Sequence, residues 1–80
     1  MANSRLNVVI GKRQILREAK KDNVVEIKIA ADAEQEYIHC LIELAKHHGI
    51  KYIICGSMAE FSEQYGIDVP TGAIGTLKYV

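Results

Sequence analysis

Apolar residues along this chain recur with two periods, and the switches between them mark out the elements. Val8, Val9 and Ile10 are three consecutive β-branched residues ending at Gly11, which predicts a short strand. From Lys12 the period changes: Ile15, Leu16 and Ala19 fall at helical spacing with basic residues on the other side, predicting a helix over 12–22 that Asn23 ends. Residues 24–30 alternate, with Val25, Ile27 and Ile29 set against Glu26 and Lys28, as in a strand with one wetter face. Tyr37, Ile38, Leu41, Ile42 and Ala45 recur at three and four residues and make 33–48 the longest amphipathic segment. Asp32 and Gln35 resemble a capping box at its start, and Gly49 a C-cap at its end. The run Lys51-Tyr52-Ile53-Ile54-Cys55 is nearly all apolar, the pattern of a strand buried on both faces. Ser57 and Glu60 form a second capping box, Met58, Phe61 and Tyr65 share a stripe that reads as core, and Gly66 closes that helix. A loop over 67–72 leads to a last strand over 73–79.

Strand and helix therefore alternate from end to end, which predicts an α/β fold with one sheet and helices on both its faces. Eighty residues with one proline and no linker composition make a single domain over residues 1–80, and 49% hydrophobic with 25% charged residues argues for a folded chain. No apolar run approaches the roughly 18 residues of a membrane helix, and the first residues lack the apolar centre of a signal peptide. The expectation is a soluble, cytoplasmic, monomeric protein without a membrane partner. Cys40 and Cys55 lie in apolar segments outside any Cys-x-x-Cys pair and read as buried reduced thiols. His47 and His48 diverge around a helix and His39 stands beside no carboxylate pair, so these residues read as solvated and no metal is expected.

Charge changes the picture more than composition does. The net charge is zero, yet residues 1–21 carry six basic residues against Glu18 alone, giving +5, while residues 22–80 carry four basic residues against nine acids, giving −5. The basic end surrounds Gly11-Lys12-Arg13-Gln14-Ile15-Leu16-Arg17, where a strand end, a flexible backbone and a helix N-terminus coincide. Unpaired N–H groups of a first helical turn, the helix dipole and full positive charges together suit a polyanion.

Other chemistries fit less well. Neither a phosphate-binding loop with Gly-Lys-Ser/Thr nor a dinucleotide Gly-x-Gly-x-x-Gly is present. Cys55, ahead of Gly56, Ser57 and a helix start, has the setting of an activated thiol, which keeps a Cys55-dependent phosphoryl carrier as one alternative. A phosphatase-type loop would need an arginine six positions on, where this chain has Phe61. Glu34, Glu36, Glu60 and Glu63 read as solvated helix carboxylates. A small protein-interaction module with no RNA role is the other alternative.

The Gly11–Arg17 stretch, the distal Tyr65-Gly66-Ile67-Asp68-Val69-Pro70-Thr71-Gly72-Ala73, and the element order between them resemble the kink-turn RNA-binding ribosomal-protein family of the L-seven-Ae and L-thirty-e type, especially its small bacterial members. The resemblance implies a three-layer α/β/α sandwich with a central four-stranded mixed sheet. It implies a non-enzymatic protein, without cofactor, that binds structured RNA bent at sheared G·A pairs, in ribosomal or regulatory RNA, and so a ribosome-associated location. Carried over by residue, Gly11 would allow close approach of the RNA, Arg13 and Gln14 would read guanine edges, and Lys12 and Arg17 would hold the backbone. Ile67, Asp68, Val69, Pro70 and Thr71 would meet a flipped-out nucleotide. Archaeal and eukaryotic members usually carry Asn-Glu where this chain has Arg13-Gln14, so the two guanine-reading positions are also the two that depart most from the common pattern.

Overall fold

The computed structural model describes residues 7–66 and 71–78. The elements are β1 (Val8–Ile10), α1 (Lys12–Lys20), β2 (Val24–Ile29), α2 (Gln35–His48), β3 (Lys51–Ile54), α3 (Met58–Tyr65) and β4 (Ala73–Leu77), in the order the periodicity predicts. One mixed sheet holds all four strands in the order β1-β4-β2-β3. β2 and β3 are parallel, joined by the α2 crossover, and β4 runs antiparallel between β1 and β2.

Side-chain alternation along the strands divides the apolar residues between two cores. Val9 and Ala73 point to one face, where Ile15 and Ala19 of α1 and Leu41 and Ala45 of α2 pack with Ile27 and Ile29. Val8, Ile10 and Ile74 point to the other, against Met58, Phe61 and Tyr65 of α3. The layers are thus two helices, sheet and one helix, the α/β/α sandwich that the resemblance implied.

Four sequence readings change in the folded chain. β3 is an edge strand, with Ile53 46% and Ile54 44% exposed, where its apolar run predicted burial on both faces. β4 takes the interior position beside β2 that this apolar run suggested for β3. At the start of β2 the register shifts between Val24 and Glu26, a bulge that buries Val24 and leaves Val25 exposed. Cys40 is exposed, because the inward stripe of α2 runs through Leu41 and Ala45 and its neighbour in sequence is rotated about 100° away. Cys55 is half-buried against the α3 core.

The fourth change concerns a cap. α2 begins at Gln35 behind Glu34 with no side-chain cap, so Asp32 and Gln35 form no capping box. Instead Asp32 Oδ1 accepts from the backbone N–H of Met58 at 2.9 Å and caps α3 from across the sheet edge. α3 has its own box as well, with Ser57 Oγ accepting from Glu60 N–H and Glu60 Oε1 accepting from Ser57 N–H. Asp32→Ala is therefore expected to cost about 1 kcal/mol of stability in urea denaturation, with Gln35→Ala near neutral. Equal effects of the two would restore the α2 box. Gly49 and Gly66 end α2 and α3 in the left-handed conformation, as their positions predict.

Candidate functional site

The topology brings one edge of the sheet into focus. β1 and β2 both end there, and β4, antiparallel between them, begins there. The residues after β1 and those before β4 are consequently neighbours, although about sixty positions separate them. Gly11 N–H donates to the Ala73 carbonyl at 3.0 Å, and Ala30 N–H donates to the Gly72 carbonyl at 2.8 Å. Thr71 is buried, and its hydroxyl donates to the Ala73 carbonyl at 3.2 Å, shaping the end of the distal loop. Ile67, Asp68, Val69 and Pro70 lie outside the described residues.

Gly11 is the N-cap of α1 with φ 89° and ψ 159°, a combination open essentially to glycine alone. A Cβ there would meet no atom of the described residues within 4 Å, so none of them covers this corner. No side chain of the N-cap residue closes the helix start. Among the described residues the backbone N–H groups of Arg13 and Gln14 find no acceptor, which leaves two donors at the positive end of the helix. Lys12, Arg13, Gln14 and Arg17 are all exposed. The ion pairs among the described residues use Lys21 with Glu18, His39 with Glu43 and Lys78 with Asp22, so none draws on Lys12, Arg13 or Arg17.

A residue that the sequence reading placed only in the core joins the two halves. The Lys12 backbone N–H donates to Tyr37 Oη at 3.1 Å, and the Lys12 ammonium sits 5.5 Å from the centre of the Tyr37 ring. The same ring packs on Gly72, where a Cβ would come within 2.7 Å of Tyr37 Cε1. Burial pushes the Tyr37 phenol above its ordinary pKa, opposed by the hydrogen bond from Lys12, so it is neutral at physiological pH. Beside it lies a cleft of about 310 Å³ lined by Ala33, Glu34, Tyr37, Met58, Thr71 and Gly72. The one sign of this in the sequence is chemical: a tyrosine among inward positions brings a hydroxyl that needs a partner.

The other glycine corner, after β3, is closed. Gly56 also has positive φ, but the first amides of α3 are taken by Asp32 and Ser57, and Cys55 packs in the apolar cluster around Phe61. The groove at Cys55 holds one basic residue, Lys28, together with the carboxylates of Glu60 and Glu63 among its described lining residues. Among the described residues, the corner of α1 combines unpaired amides with exposed basic side chains.

Comparison with known proteins places the whole chain. Residues 1–79 match the model of the family described as Ribosomal protein L7Ae/L30e/S12e/Gadd45. An RNA-binding protein of Bacillus pumilus is 28% identical over 71 residues, covering 89% of this chain and 87% of that one. An RNA-binding protein of Halalkalibacterium halodurans is 31% identical over 72 residues, covering 90% and 88%. Among solved structures, the Giardia lamblia 15.5kD RNA binding protein superposes with a TM-score of 0.83 at 23% identity over 92% of this chain, which shows the shared fold. The chain spans 62% of the length of that protein.

Proposed function

Because this chain belongs to the ribosomal protein L7Ae/L30e/S12e/Gadd45 family, we propose that it is an RNA-binding protein of the cytoplasm that recognises a kink-turn and stabilises its bent form. The observation that carries this reading is the hydrogen bond from Gly11 to Ala73, which sets an open, basic helix start against the end of the distal loop. Gly11 lets the RNA come close to the backbone. Arg13 offers a forked donor to guanine O6 and N7, and the Gln14 amide donates or accepts at a neighbouring base edge. Lys12 and Arg17 neutralise phosphates and fix the register without reading sequence. The cleft beside Tyr37 sets the Glu34 carboxylate against the apolar groups of Ala33, Tyr37 and Met58 among its described lining residues, which suits an unstacked base whose N–H groups seek an acceptor. Ile67, Val69 and Pro70 would extend that contact.

The mechanism needs no catalysis. A protein that binds only the kinked conformer lowers its free energy and shifts the population toward it. The acidic remainder of the chain repels RNA elsewhere and limits nonspecific coating. Titration against a kink-turn RNA and a straight duplex of equal length, at one stated salt concentration, tests the reading. The kinked RNA should bind more tightly, and equal affinities would sink it. Arg13→Ala should cost about 1–3 kcal/mol on the kinked RNA, whereas Lys20→Ala, farther along the helix, should change little. Equal loss from both substitutions on both RNAs would reduce the surface to an electrostatic patch.

A further inference from the structure

A helix start is usually closed by the side chain of its own N-cap residue, most often serine, threonine, aspartate or asparagine. In α1 that residue is Gly11, which brings no side chain, and the acceptor for the first amide comes instead from Tyr37, 25 residues away on α2. We infer that Tyr37 is a positioning residue for RNA recognition: its hydroxyl takes the first amide of α1 from a distance while the Arg13 and Gln14 amides stay open, and its ring holds the loop end at Gly72 in register with the helix start. This inference rests on the RNA-binding reading above.

Three contacts of one side chain carry it. The hydroxyl accepts from Lys12 N–H, the ring lies beneath the Lys12 ammonium, and the ring supports Gly72. A capping side chain at position 11 would take the Arg13 or Gln14 amide and would stand in space that no described residue fills above Gly11. Placing the acceptor on α2 pairs the Lys12 amide and leaves those two amides and that space open. It also makes the helix start and the loop end lean on one ring, so that guanine reading and nucleotide capture occur at a fixed separation.

Tyr37→Phe removes the hydroxyl and keeps the ring. Its Lys12 amide should lose hydrogen-exchange protection. Its affinity for a kink-turn RNA should fall by about three- to tenfold, the worth of one hydrogen bond. Affinity for the straight duplex, and the slope of log K against log salt, should stay as in the wild type, because no charge is removed. Gly72→Ala leaves the hydroxyl in place but drives a methyl group into the ring, and it should narrow the same preference. Thermal melts of both variants establish that they are folded. Undiminished discrimination in Tyr37→Phe, or parallel loss on both RNAs, overturns the role of Tyr37 and leaves the RNA reading standing. Absence of discrimination in the wild type overturns the RNA reading, and this inference with it.

Discussion

Gly11→Val is expected to weaken binding of a kink-turn RNA by on the order of a hundredfold, the loss of two base contacts at about 1–3 kcal/mol each. Two physical effects lead there. The φ of 89° and ψ of 159° at Gly11 belong to a region that β-branched residues do not occupy without strain of about 1–3 kcal/mol. The variant therefore either carries that strain or rotates the peptide and gives up the bond to the Ala73 carbonyl. A side chain at this corner also occupies the space that the RNA backbone would enter, which no described residue fills within 4 Å. The fold should survive with a lowered melting temperature, since a Cβ there meets no described residue. A folded Gly11→Val protein that binds kinked RNA as the wild type does would show that the contact lies elsewhere. Measuring stability by urea denaturation and affinity by titration on the same samples separates strain from exclusion.

A large effect on folding is expected at Gly75, in the interior strand β4. Strand propensity alone would favour valine there. The packing opposes it: a Cβ on Gly75 would stand 2.9 Å from Ile15 Cγ1 and 3.2 Å from Val9 Cγ2. Ile15 is fully buried, so it has nowhere to turn, and α1 must lift away from the sheet. Gly75→Val should destabilise the protein by about 1–3 kcal/mol or more, against the gain that propensity predicts. The sign of the change in urea midpoint decides between the two. Ile15→Ala alone should cost about 2–5 kcal/mol, and combined with Gly75→Ala the total should fall short of the sum, because the new methyl group enters the vacated space. Additive effects would mean that the two residues do not meet. Because α1 carries Arg13, Gln14 and Arg17, lifting it should also weaken RNA binding, and this links a core glycine to the site.

The order and type of every element were legible in the sequence, along with the Ser57–Glu60 cap, the glycine ends of α2 and α3, and the basic corner around Gly11. These depend on interactions within a few residues: alternation along a strand, spacing of three and four on a helix, and side chains bonding the nearest backbone amides. Charge polarity was legible too, because it requires only counting. Strand order was not. The apolar run of β3 reads as the interior strand and the Ala-Ile-Gly-Thr-Leu of β4 does not, yet the insertion of β4 between β1 and β2 puts β4 inside and β3 at the edge. The same insertion brings Ala73 to Gly11.

Asp32 and Tyr37 show the limit most clearly. Local pattern assigned Asp32 to the start of α2 and Tyr37 to the core, yet Asp32 caps α3 and Tyr37 caps α1, at separations of 26 and 25 residues. Which segments form helices and strands follows from local spacing, and where positive charge gathers follows from the order of residues along the chain. Which amide each polar side chain satisfies is a property of the packed fold. A hydrogen bond acts over about 3 Å, and which groups come that close depends on how the strands are ordered.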